Sequence, residues 1–195
     1  MNNLVLSSFP LGAVIGIVVA VVIIIAIIGW WISTSNKFKV MQVKIDEALS
    51  GIDVALTKRF DLLTKAVATA KGYAKHESET LEKIISMRNP GKYSSLGEKQ
   101  EFANATTEAI KSLNVVVEQY PTLKADTQFT SIQRHIADVE EQLQAARRLY
   151  NSNVSTYNQA IIVFPGSIVA NKGGFTKREF FEAESSKRED VKIEF

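Results

Sequence analysis

From Leu11 to Ile32 the chain runs for twenty-two consecutive residues without a charge, a side-chain amide or a hydroxyl. A helix rises about 1.5 Å per residue, so this run is roughly 33 Å long, enough to cross a hydrocarbon core of about 30 Å. It reads as one membrane-spanning helix. A cleaved signal peptide is the competing reading, but that needs a basic leader, a shorter apolar core and a small-residue cleavage site. Here an uncharged segment, residues 1–10, precedes the run, and Trp30-Trp31-Ile32 closes it. Paired tryptophans suit the membrane interface, with Lys37 and Lys39 just beyond in the headgroup layer. No cysteine follows, so a lipoprotein anchor is not expected.

Lysine and arginine placement sets the expected orientation. Lys37, Lys39 and Lys44 follow the span and no basic residue precedes it. The positive-inside rule therefore puts the body of the chain in the cytoplasm. The absence of cysteine agrees with a reducing compartment.

All 23 basic and 21 acidic residues lie after Asn36. The remainder is long enough for one domain with its own core. Its charges are mixed and nearly balanced, for a net charge of +2. A nucleic-acid footprint needs a clustered basic face, so no nucleic acid is expected as a partner.

Ile45, Leu49, Ile52, Leu56, Arg59, Leu63, Ala66, Ala70 and Tyr73 alternate at spacings of four and three, the seam of a long helix with a seven-residue, coiled-coil-like repeat. Leu81, Ile84 and Ile85 extend the apolar pattern, which predicts a first soluble helix continuing to about Met87. Arg88-Asn89-Pro90-Gly91 supplies its stop. Gly51 and Gly72 weaken that helix by about 1 kcal/mol each. A second helix is expected from near Ser95 to Pro121, with Phe102, Ala105, Ala109, Leu113, Val116 and Tyr120 on one face. A third carries Phe129, Ile132, Ile136, Val139, Leu143, Ala146, Tyr150, Val154, Tyr157 and Ile161, and stops at Phe164-Pro165-Gly166. Loop follows, with a short helix expected around Thr176 to Ser185 and an extended tail at 191–195.

Three amphipathic helices joined by short turns must bury their stripes on one another. The expected fold is all-α: a short N-terminal segment (1–10), a transmembrane helix (11–32), an elongated antiparallel helical bundle (37–165) and a C-terminal tail (166–195). The first soluble helix comes out longer than the third, so its membrane-proximal stretch, Phe38 to Ala48, is a candidate for contact with other copies or with headgroups. An ordinary juxtamembrane linker is the alternative.

Several stretches together resemble the LemA family. They are Leu56-Thr57-Lys58-Arg59-Phe60-Asp61-Leu62-Leu63, Gly72-Tyr73-Ala74-Lys75-His76-Glu77, Glu118-Gln119-Tyr120-Pro121-Thr122-Leu123-Lys124, and Ala146-Arg147-Arg148-Leu149-Tyr150-Asn151 with Tyr157-Asn158 and Phe164-Pro165. The resemblance runs from the membrane segment to about Phe181. One departure stands out: the family usually carries a proline and an asparagine where this chain has Thr64 and Lys65, which favours an unkinked helix there. The resemblance implies a bacterial single-pass membrane protein with a short outer segment and a helical cytoplasmic domain. It implies no reaction, although some members are linked to membrane remodelling or organisation.

No catalytic constellation emerges. His76-Glu77 opens like a zinc-protease helix, but Thr80 stands where the second histidine belongs. His135 is distant in sequence and has no cysteine to help, so neither histidine is read as a metal ligand. Gly173-Gly174 lacks the lysine and spacing of a phosphate loop, and Gly166-Ser167 lacks the glycine pattern of a nucleophile elbow. Glu140-Glu141 reads as solvated helix surface. The expectation is a non-enzyme without cofactor or metal.

Four interaction features remain. Gly12, Gly16 and Ala20 recur every four residues, a spacing that lets membrane helices approach closely. Tyr150 and Tyr157 share one helix face with Asn151 and Asn158 beside them, and mid-helix asparagines point to hydrogen-bonding partners elsewhere. Arg59 meeting Asn151 or Asn158 would form a polar layer that fixes bundle register; a wet edge is the alternative. Ile193-Glu194-Phe195 has the apolar-x-apolar form of a tail that adds as a strand to a receptor. The resulting expectation is a membrane-anchored helical scaffold whose partners are the lipid bilayer, further copies of itself and an unidentified membrane or cytoplasmic protein. The alternatives are an accessory or regulatory subunit of a separate membrane enzyme, and a hydrolase assembled from surface carboxylates.

Overall fold

The computed structural model describes residues 11–74, 77–91 and 94–182, and these form helices, turns and extended connections with no strand among them. The elements are α1 (Leu11–Lys71), α2 (Ser78–Ile85), α3 (Leu96–Gln119), α4 (Pro121–Lys124), α5 (Thr127–Ile162) and α6 (Gly166–Gly173). The all-α architecture expected from periodicity is what the chain adopts. The N-terminal segment, His76 and the 191–195 tail lie outside the described residues. The chain divides into two compact units, Met1–Gln42 with Tyr157–Lys177, and Val43–Thr156 with Arg178–Phe195.

In the first unit, α1 carries a stretch long and apolar enough to cross a membrane, and none of the described residues buries it. Packing begins near its end: Trp31 is half-buried and Phe38 is fully buried. The Phe38 ring meets Phe175 edge-on at 5.2 Å, and Gln42 Nε2 donates to the Tyr157 hydroxyl at 3.0 Å. Ile161, Val169 and Ala170 complete this small core. Gly166 is required where α6 starts, because a Cβ there would sit 2.5 Å from the Ala160 carbonyl oxygen and 3.3 Å from the Phe38 ring. Gly174 ends α6 at φ 70°, the left-handed cap conformation that glycine adopts without a Cβ penalty.

The second unit is built on the heptad seam. Ile45, Ile52, Leu56, Arg59, Leu63, Ala66 and Ala70 are buried, while Tyr73 is exposed. The helix passes through Thr64 and Lys65 unbroken but ends at Lys71, not at Met87. Gly72 is the weak point, and beyond it the chain reverses so that Leu81 and Ile84 pack back onto Leu63, Val67 and Ala70. Burying those two side chains stabilises the reversal by about 1.5–3 kcal/mol each. The returning segment reaches Asn89, whose Nδ2 donates to Thr57 Oγ1 at 3.1 Å.

Because of that reversal, α3 runs parallel to α1, as Lys99 pairs with Asp53 and Thr106 with Arg59. A full capping box sets its start: Ser95 Oγ accepts from Glu98 N–H, and Ser95 N–H donates to Glu98 Oε2 at 2.7 Å. The Ser95 backbone N–H and then its hydroxyl, at 2.8 Å, both donate to Glu98 Oε2 and hold that carboxyl below its ordinary range. α3 ends at Tyr120, held out of helical conformation at φ −120° and ψ 84° as expected before Pro121. Asp126 then caps α5, its Oδ1 accepting from Phe129 N–H and its Oδ2 from the Tyr73 hydroxyl, both at 2.8 Å. α5 descends antiparallel to α1, with Glu140 at Arg59 and Asn153 at Lys44.

Two further expectations are corrected. Phe38 to Ala48 does not lack intrachain partners, since Phe38, Ile45 and Ala48 are each buried within their own unit. The short helix expected at Thr176–Ser185 is absent over 176–182, and the helix lies earlier, at Gly166–Gly173. Side chains of α3 and α5 bond backbone groups of Glu179, Phe180 and Phe181, which replaces helical pairing there.

Candidate functional site

Among the described residues there is no group of three or more histidine, cysteine, aspartate or glutamate side chains arranged to hold a metal ion. His135 is exposed, in a shallow groove with Asp61, Lys65 and Asp138. Among the described residues, the buried charges tie helices together.

Arg59 is the centre of the main tie. Its Nη1 donates to the Ala103 carbonyl and to Thr106 Oγ1, each at 3.2 Å, and its Nη2 donates to Thr107 Oγ1 at 3.0 Å. The same Nη2 lies 2.7 Å from Glu140 Oε2. One guanidinium thus joins α1, α3 and α5. A buried charge is tolerated only when paired and hydrogen-bonded, and the planar fork of arginine supplies several donors at once. Lys99, buried to 1% exposure, makes a second tie from α3 to Asp53 of α1 at 2.6 Å.

The polar layer at Arg59 therefore exists, but with other partners than the sequence suggested. Arg59 meets the Thr106, Thr107 and Glu140 side chains in place of Asn151 or Asn158. Asn151 instead clamps the tail: its Nδ2 donates to the Phe181 carbonyl at 2.9 Å and its Oδ1 accepts from Phe181 N–H at 2.8 Å. The Tyr150 hydroxyl donates to the Glu179 carbonyl at 3.0 Å, and the Arg147 guanidinium lies 4.9 Å from the centre of the Phe181 ring. Burial pushes the Tyr150 phenol above its ordinary value. Tyr157 belongs to the first unit, accepting from Gln42, and Asn158 is half-buried there. The family-like stretch from Ala146 to Asn151 is thus a tail-binding surface. Mid-helix Asn151 was its signal, and the extended 178–182 segment its unrecognised partner.

Gly12, Gly16 and Ala20 lie on the uncovered part of α1, and a Cβ at either glycine would meet nothing within 4 Å. Trp30 is exposed and Trp31 half-buried, while Lys37 and Lys39 extend outward. A groove of about 590 Å³ is lined by Asp53, Val54, Thr57 and Asn89–Gly91.

The match to known proteins agrees with this architecture. Over 165 residues the chain is 29% identical to Protein LemA of Metamycoplasma hominis, covering 83% of this chain and 74% of that protein. It is 31% identical over 86 residues to Magnetosome protein MamQ of Magnetospirillum gryphiswaldense, and 32% identical over 87 residues to Magnetosome protein MamQ 2 of Paramagnetospirillum magneticum. Those stretches are 44% and 45% of this chain but 30% of each magnetosome protein. The LemA family model matches residues 48–195, from the seam of α1 through the tail clamp. By that match, the chain belongs to the LemA family.

Proposed function

We propose that this membrane-associated helical protein is a scaffold, anchored by Leu11–Ile32, that self-assembles and organises membrane or partner proteins without catalysis. The observation that carries the reading is the continuity of α1: the helix that supplies the apolar span also supplies the seam of the bundle. Anchoring confines copies to a plane, which raises their effective concentration and lets weak lateral contacts act. Gly12, Gly16 and Ala20 offer a close-packing face within the bilayer. Val43 and Val54, both exposed and eleven residues apart, share one face of α1 in the second unit and offer a lateral contact outside it. In this reading the basic residues after the span keep the bundle in the cytoplasm beneath an inner membrane.

Size-exclusion chromatography with light scattering, and electron microscopy of the detergent-extracted full chain, test this. Rings, sheets or filaments are the expected result, and a monomer would contradict it. A second reading, an accessory subunit of a separate membrane enzyme, is favoured by the groove at Asp53, Val54 and Asn89–Gly91, which could seat a partner segment. A defined one-to-one complex without homo-oligomers would select that reading.

A further inference from the structure

The turn from α5 to α6 exposes apolar side chains that the chain's own packing leaves uncovered. Ile162, Val163, Phe164 and Ile168 are 54%, 59%, 75% and 46% exposed. No charged residue occurs between Arg148 and Lys172. Four large apolar groups on one uncharged turn are unusual for a surface facing water, where such patches mark interaction sites.

The position of the turn identifies what covers it. A Cβ on Gly166 would meet the Phe38 ring at 3.3 Å, which places the turn beside Phe38 of α1. Phe38 follows Ile32 by six residues, about 9 Å along a helix axis. Helical side chains lean toward the N-terminus of their helix, so the Phe38 ring and the turn beside it lie closer still to Ile32. The headgroup layer is roughly 5–8 Å deep on each side of the hydrocarbon. We infer that the Ile162–Ile168 turn is a second membrane contact, an apolar wedge seated in the interfacial layer next to the span. This rests on the reading of Leu11–Ile32 as a membrane span. Lys37, Lys39 and Lys172 flank the wedge, where they can meet lipid phosphates. Two attachment points in place of one would restrict rotation of the first unit about the span axis.

The absence of cysteine allows single-site labelling. The full chain carrying Phe164→Cys, Val163→Cys or Ile24→Cys, each labelled with an environment-sensitive fluorophore, is placed in phosphatidylcholine–phosphatidylglycerol nanodiscs. Labels at 164 and 163 should emit to the blue of their position in water, be quenched by lipids with a nitroxide near the headgroup, and resist iodide. The label at 24 should be quenched by nitroxides deep in the chains. Iodide quenching at 164 and 163, with deep lipid quenching at 24, would overturn the wedge and leave the span standing. Shielding of 164 and 163 from both quenchers would mean that a second copy or another protein covers the turn, and would also overturn it. Loss of lipid quenching at 24 would overturn the span and the wedge together.

Discussion

Arg59 of α1 and Glu140 of α5 meet at 2.7 Å, the guanidinium buried and the carboxylate about one-third exposed. Breaking a buried pair from one side costs about 3–5 kcal/mol because the other charge is stranded. Glu140 can turn toward water, which puts Arg59→Ala near the lower end, about 3 kcal/mol. Replacing both partners, Arg59→Met with Glu140→Leu, should recover part of that loss. Thermal unfolding of the full chain in detergent measures the cycle, and strictly additive losses would show that the pair is not coupled.

Asn151 satisfies both backbone groups of Phe181. Asn151→Ala should free the tail while leaving the bundle within about 1–2 kcal/mol of its original stability. Hydrogen exchange of the 176–182 backbone reads this directly: the Phe181 amide should exchange at least about tenfold faster, the factor expected for losing roughly 1.4 kcal/mol of local protection. Unchanged exchange would mean that other contacts hold the tail.

Two glycines should respond with opposite signs. At Gly166 an added methyl would strike the Ala160 carbonyl, so Gly166→Ala should destabilise by about 1–3 kcal/mol, the usual penalty for overpacking. Gly51 lies in the middle of α1 with open space where its Cβ would be, so Gly51→Ala should stabilise by about 0.5–1 kcal/mol. Paired unfolding midpoints in detergent test both, and shifts of equal sign would contradict the packing described at Gly166.

Asp126 gives the α5 cap a pH dependence. Its carboxyl is held below the ordinary range, first by the Phe129 N–H and then by the Tyr73 hydroxyl. A depressed folded-state value means that the contribution is fully present above the unfolded value of about 3.9 and is lost as pH falls through the folded value. Asp126→Asn should therefore lower Tm at neutral pH, and the gap to the unsubstituted chain should close in acid. A gap constant down to pH 2 would contradict the cap.

These residues also show what a sequence can and cannot reveal about such a chain. The helix start near Ser95 and the stop at Pro121 were legible because each is decided within one turn of helix, and the apolar run Leu11–Ile32 because its length is read directly from the sequence. The burial of Ile45 through Ala70 was legible because periodicity reports a face. The end of α1 at Lys71 was not, since Leu81 and Ile84 keep an apolar pattern whether the chain continues or doubles back. Gly72, worth about 1 kcal/mol, does not decide between them. Missing that reversal hides the parallel course of α3, and with it the placement of Thr106 and Thr107 opposite Arg59. The asparagines drew attention as mid-helix anomalies, whereas threonines and Glu140 look like ordinary helix surface. That is why the sequence does not point to Thr106, Thr107 and Glu140 as the partners of Arg59.

Self-association in the bilayer is the central claim, and counting copies tests it most directly. The full chain, carrying one fluorophore per copy, is reconstituted at low density in a supported bilayer and its photobleaching steps are counted. The account predicts several steps per spot for the unsubstituted chain and fewer for Gly16→Ile. Among the described residues, nothing beyond the helix's own neighbouring backbone lies within 4 Å of a Cβ at Gly16, so the substitution leaves the packing described within one chain in place. Single-step bleaching of the unsubstituted chain would contradict the scaffold.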